Sequence, residues 1–84
     1  MSHRVFVLPR AKKQLDALPP QQCSEIEFKI DELRETPRPT GCKKLTGREG
    51  WRSRVGDYRI IYKIDDKTEI VTVVDVGHRR EIYR

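Results

Sequence analysis

The stretch from Gly50 to Lys63, GWRSRVGDYRIIYK, constrains this chain more than any other. It interleaves Arg52, Arg54, Arg59 and Lys63 with Trp51, Val55, Tyr58, Ile60, Ile61 and Tyr62, and Gly56-Asp57 divides it into two extended segments. Side chains two apart on a strand share a face. Arg52 and Arg54 therefore project together, and on the next strand so do Arg59, Ile61 and Lys63. A sheet face that gathers guanidinium groups beside aromatic rings costs charge repulsion, and an anionic partner would relieve it.

The remaining residues must hold that hairpin with little material. A chain of 84 residues makes one domain, and at this size folding hides only about 60–65% of the surface of the unfolded chain. A surface site suits such a chain better than a deep pocket for a large cofactor. Positive charge is concentrated in the middle. Residues 1–33 carry five Arg/Lys and five Asp/Glu, whereas residues 34–63 carry nine against three, net +6. A phosphate-rich partner fits that distribution, and so does a solvated basic surface. Cys23 and Cys42 are too few for a secreted disulfide scaffold and lack metal-ligand spacing, which points to reduced thiols in the cytoplasm. Neither a signal peptide nor a membrane span is visible.

Taken in order, residues His3–Leu8 read as a first strand. Pro9 ends it and opens a helix in which Ala11, Leu15 and Leu18 recur at helical spacing. Pro20 starts a second helix, since a first turn does not need that amide. Cys23, Ile26, Ile30 and Leu33 form its apolar stripe, with Phe28 at the edge and a Glu25–Lys29 pair outside. The helix ends near Arg34–Thr36, ahead of Pro37 and Pro39. A basic loop, 37–49, follows. Arg38, Lys43, Lys44 and Arg48 make it a candidate phosphate-contacting rim, with Leu45 plugging it onto the core. Strands are then expected at Trp51–Val55, Tyr58–Ile64 and Glu69–Val76, antiparallel because the turns are short. Arg80–Tyr83 forms a further edge strand or frays. The fold class is α+β.

No metal-ligand cluster, phosphate-cradling glycine loop or hydrolytic triad is present in the sequence. The available chemistry is that of Arg, Lys, Tyr and one His. His78, Arg79 and Tyr83 follow the last long strand, and if that run lies beside the Arg52/Arg54 strand, all these groups converge. Such a set suits RNA backbone cleavage. That reaction needs an aligned 2′-hydroxyl, an acceptor for its proton, a donor to the departing 5′-oxygen and positive charge over the phosphorane. Guanidiniums supply charge with bidentate geometry but are poor bases. Histidine has the better pKa for proton transfer, and tyrosine serves as a donor or a stacking platform. The same residues read structurally are sheet-face aromatics and a turn-capping histidine.

Several fragments carry a resemblance in order and spacing. They are Ala-x-Lys-x-Leu from Ala11, Leu-Pro at Leu18-Pro19, Pro-Arg-Pro-x-Gly-x-Lys-Lys-Leu from Pro37, Trp-Arg-x-Arg-Val-Gly-Asp-Tyr-Arg-Ile-x-Tyr from Trp51, and Val-Gly-His-Arg-Arg-x-x-Tyr from Val76. Together they resemble a RelE-type toxin of the RelE/ParE superfamily over essentially the whole chain. The resemblance implies two N-terminal helices packed on a curved, mainly antiparallel sheet. It further implies a metal-independent, ribosome-dependent endoribonuclease that cuts mRNA in the decoding site by 2′-hydroxyl attack, and a cognate antitoxin that masks the basic surface.

By position, Arg52 and Arg54 match two basic residues that are lysines in the well-studied enzyme. Arg59 matches an arginine on the scissile phosphate, Arg79 one that assists leaving-group departure, and Tyr83 a tyrosine that orients the base. Arginine at 52 and 54 is an awkward proton acceptor, and His78, where that relative has lysine, is the candidate replacement. Lys63 joins Arg38, Lys43, Lys44 and Arg48 as an expected RNA contact. The expected partners are the antitoxin and a ribosome carrying mRNA, with no membrane and no small-molecule cofactor. Some relatives continue into a C-terminal helix, and with the sequence ending at Arg84 no inhibition through such a helix is expected. A gyrase-poisoning toxin and a non-catalytic basic RNA- or partner-binding protein are the competing readings.

Overall fold

The computed structural model describes residues 2–78. Its elements are β1 (Arg4–Val7), α1 (Pro9–Asp16), α2 (Pro20–Glu32), β2 (Lys43–Lys44), β3 (Trp51–Val55), β4 (Tyr58–Asp65) and β5 (Ile70–His78). Arg79 and the expected segment Arg80–Tyr83 lie outside the described residues.

The five strands form one sheet in the order β1-β5-β4-β3-β2. All neighbours are antiparallel except β1 and β5, which run parallel with Val5 beside Val71 and Val7 beside Val73. The two helices form the connection that a parallel pair needs. Prolines set where they begin. Pro9 and Pro20 each occupy a first helical turn, where the missing amide has no intrahelical partner to lose, and neither helix has a side-chain N-cap bond.

Both helices cover one face. Ala11 and Leu15 of α1 and Ile26, Ile30 and Leu33 at α2 pack with Ile60, Tyr62, Val71, Val73 and Val76 of the sheet. Cys23 lies at the margin of this core, as the helical stripe predicts, while Phe28 is 68% exposed. Lys29 pairs with Glu32 at 3.8 Å, in place of the expected Glu25. Each fully buried aliphatic side chain contributes about 1.5–3 kcal/mol. Among the described residues no helix is long and apolar enough to cross a membrane.

Three features depart from the sequence expectation. Residues 37–49 are not loop throughout, because Lys43–Lys44 pairs with β3 and adds an edge strand. The last strand runs on to His78, two residues past Val76. Finally, the β4–β5 register slips between Ile61 and Tyr62: Ile61 pairs with Asp75 and Tyr62 with Val73, leaving Val74 as the extra residue of a bulge. Beyond β1, α1 closes the open side of β5. The Gln14 side chain accepts a hydrogen bond from the Val76 amide and donates one to Asp75, both at 2.9 Å.

Candidate nucleic-acid interface

The strand alternation that buries Ile60 and Tyr62 under the helices turns Arg59, Ile61 and Lys63 to the opposite face. Cross-strand register adds to them. Arg54 stands directly across from Arg59, and Arg52 across from Ile61. Lys43 of β2 then stands across from Arg52. The open face therefore carries two neighbouring rows, Arg59–Arg54 and Ile61–Arg52–Lys43, with Lys63 one row further along. Like charges directly opposed across strands destabilise a sheet, and here two such pairs sit side by side.

This face is not uniformly wet. Arg59 is only 6% exposed and Ile61 1%, although Ile61 is not among the residues packed in the helix-side core. Arg59 donates a long bond, 3.4 Å, from Nη1 to the Tyr58 carbonyl. A guanidinium remains protonated even when so enclosed. Its field is screened less than that of an exposed cation, and so it acts more strongly on an anion that docks against it.

Other expected site residues are placed elsewhere. Lys44 stands opposite Trp51, whose ring packs on the helix-side core, so Lys44 and Lys43 face opposite ways. Arg48 is exposed in the turn before β3. Arg38 makes a two-pronged contact with Asp66, at 2.9 and 3.3 Å, while its guanidinium carbon lies 5.0 Å from the centre of the Trp51 ring. The Tyr62 hydroxyl donates to the Pro37 carbonyl at 2.9 Å, anchoring the start of the same loop. Burial pushes the Tyr62 phenol well above the ordinary tyrosine range, so it is a fixed donor at neutral pH. Asp66 and Tyr62 had no place in the sequence-based site. Asp66 read as a turn residue, and its partner is 28 positions away.

His78 is not brought to the arginine rows. It pairs across the ladder with Tyr58, and the two rings meet edge to face with centroids 5.7 Å apart. Tyr58 and Val76 both belong with the helix-side core, which puts His78 on the face opposite Arg59. The last strand adjoins β4 and β1, with β4 between it and the Arg52/Arg54 strand. Gly77 is the β5 residue across from Arg59. Arg79 and Tyr83, expected beside these groups, lie outside the described residues.

Comparisons with known proteins agree with this architecture. The family described as "ParE toxin of type II toxin-antitoxin system, parDE" matches residues 5–83. Toxin RelG of Mycobacterium tuberculosis is 33% identical, the match covering 100% of this chain and 99% of that protein. Among solved structures, the toxin–antitoxin complex RelBE2 from the same organism matches with a TM-score of 0.81 and 29% identity, over 94% of this chain and 100% of that one. The archaeal RelE–RelB complex from Pyrococcus horikoshii matches with a TM-score of 0.82 and 28% identity, over 94% and 97% of the two chains.

Proposed function

This chain belongs to the ParE toxin family of type II toxin–antitoxin systems, within the RelE/ParE superfamily, and on that premise we propose that it is a ribosome-dependent endoribonuclease that cuts mRNA in the decoding site. The observation that carries the reading is the doubled like-charge pairing, Arg54 against Arg59 and Lys43 against Arg52, on the face the helices leave uncovered. Rows two residues apart on a strand are about 7 Å apart, so successive phosphates of an extended strand can each meet a cation.

In the proposed reaction the 2′-oxygen attacks phosphorus, the bond from phosphorus to the 5′-oxygen breaks, and the products are a cyclic phosphate and a free 5′-hydroxyl. Arg59 sits on the scissile phosphate, where charge accumulates in the transition state, with Arg52 and Arg54 adding to the field. Their contribution is electrostatic. None accepts the 2′-proton, because an arginine remains protonated. His78 is assigned no proton transfer either, since its ring is on the other face of the sheet. Arg79 and Tyr83 keep the roles the family implies, leaving-group assistance and base orientation. Lys43 and Lys63 extend the phosphate track on the same face, and Lys44 and Arg48 contact RNA from its rim. No metal takes part.

The partner that restrains this activity is a cognate antitoxin, which the related complexes support. Its footprint includes the basic 34–63 surface and the groove of about 340 Å³ between β1 and the helices, where Val5, Val7, Leu15 and Ile30 offer apolar contact. The setting is the cytoplasm, where translating ribosomes are found.

A second reading, gyrase poisoning, draws on the parDE description of the matched family. Mapping mRNA 5′ ends after adding purified toxin, with and without ribosomes on the message, separates the two. Codon-phased cuts that require ribosomes support the proposal. Intact mRNA in both reactions, together with trapped gyrase–DNA breaks, would overturn it.

A further inference from the structure

The basic loop that feeds Lys43 into the sheet is held at one end by contacts that have nothing to do with RNA. Its first residues are fixed twice, by the Tyr62 hydroxyl on the Pro37 carbonyl and by Arg38 on Asp66. Arg38 cannot swing freely toward an anion, because its guanidinium is forked onto one carboxylate and faces the Trp51 ring. The carboxylate is itself held in place. Asp65 accepts hydrogen bonds from the amides of Lys67 and Thr68, at 3.0 and 3.2 Å, which fixes the β4–β5 turn that carries Asp66. His3 lies 3.6 Å from the same carboxylate. Trp51 in turn is the β3 residue opposite Lys44, next to the Arg52–Lys43 pair. One rigid turn thus reaches through Arg38 and Trp51 to the register of β2.

We propose that Asp66 is a positioning residue, which through Arg38 and Trp51 holds the 37–45 segment so that Lys43 stands beside Arg52 on the RNA-binding face. The functional half of this inference rests on the reading of that face as an RNA site. β2 has only two residues and both are lysines, so it carries no apolar side chain to fix its own place. The clamp supplies what the strand lacks. Arg38 is then no phosphate contact, and Asp66, a negative charge close to a basic surface, strengthens anion binding.

That sign is opposite to simple electrostatics, and it makes the test sharp. Asp66→Asn removes a negative charge, and Arg38→Lys preserves a positive one while losing the fork and the planar stack. If charge alone mattered, the first variant would bind RNA more tightly and the second equally well. The clamp requires that both bind a short 2′-O-methylated single-stranded RNA about three- to tenfold more weakly at low salt, with the slope of log affinity against log salt lowered by up to about 0.7 as the Lys43 contact is lost. The unfolding midpoint should move little, since an exposed ion pair contributes little to global stability.

Two further readouts do not involve RNA. Trp51 is the single tryptophan, so its emission reports loss of the Arg38 stack. The Leu45 amide, which donates to the Gly50 carbonyl, should exchange faster in both variants. Unchanged Leu45 exchange, or RNA binding as tight as wild type in Asp66→Asn, would overturn the clamp. A wild-type protein that fails to bind this RNA would instead overturn the reading of the open face as a free-standing RNA site, while exchange at Leu45 would still decide whether the clamp orders the loop.

Discussion

The two faces of β4 spend burial in different ways. On the helix side Ile60 and Tyr62 are fully enclosed by aliphatic neighbours, and burial there stabilises the fold. On the other side Ile61 and Arg59 are nearly as inaccessible, at 1% and 6%, yet the next strand presents arginines at both paired positions. Enclosing a guanidinium beside another is unfavourable for folding, since desolvation and repulsion both oppose it. The same enclosure makes Arg59 a stronger electrostatic partner for a docked anion. One face holds the domain together, and the other carries charge at the domain's expense.

Substitutions that separate the faces should therefore separate stability from function. The largest effect is expected at Ile60, where Ile60→Ala should cost about 2–5 kcal/mol in urea unfolding through the lost contacts and the cavity left behind. That is a large share of the roughly 5–15 kcal/mol available to a small domain. Its counterparts on the open face, Arg52→Ala and Arg54→Ala, should shift the urea midpoint far less than Ile60→Ala does. Each should lower the slope of log RNA affinity against log salt by about 0.7. A stability loss at either arginine comparable to that at Ile60 would abolish the distinction.

Tyr62 is a more modest probe of the helix side. Tyr62→Phe should cost about 1 kcal/mol by removing the bond to the Pro37 carbonyl. The wild-type phenol also gives alkaline pH a sign. Burial raises its folded pKa, so above about pH 10 the unfolded chain ionises first and stability falls as pH rises. The phenylalanine variant should lose that part of the alkaline dependence, as denaturation curves across pH will report.

A smaller effect belongs to Asp66. The Arg38 guanidinium, and to a lesser extent His3, hold its carboxyl below the ordinary value. A depressed carboxylate pKa means that the contact is at full strength above the ordinary value and is lost as pH falls through the lowered one. Trp51 emission should accordingly change as pH drops below about 4. The smallest effect is expected at His78. His78→Ala should cut programmed mRNA within about twofold of wild type, whereas a general base would contribute about 10²–10⁴-fold.

The hairpin at the centre was legible because its pattern is local. Two-residue alternation in Trp51–Lys63 and a Gly-Asp break fix both strands and the sharing of a face by Arg52 and Arg54. The helices were legible from prolines and apolar spacing. Lys43–Lys44 was not, because a two-residue strand of lysines has no alternation to detect, and its pairing is decided by β3. The parallel β1–β5 ladder joins residues more than sixty positions apart, and no local pattern encodes it. His78 was misplaced for a definite reason. The expected strand stopped at Val76 and left His78 beyond it, whereas β5 runs on to His78 and the bulge at Val74 shifts the parity so that Val76 and His78 share the helix side of the sheet. Arg38 read as a free cation because its partner, Asp66, lies in a distant turn.

The most direct test compares single-turnover cleavage and ribosome occupancy for Arg59→Met, which removes the enclosed charge and retains much of the side-chain volume. A catalytic open face predicts that cleavage on programmed ribosomes falls by about two orders of magnitude or more, while ribosome affinity changes only severalfold and the urea midpoint shifts far less than in Ile60→Ala. Cleavage and occupancy falling in parallel, or cleavage persisting at the wild-type rate, would contradict a catalytic role for the arginine rows.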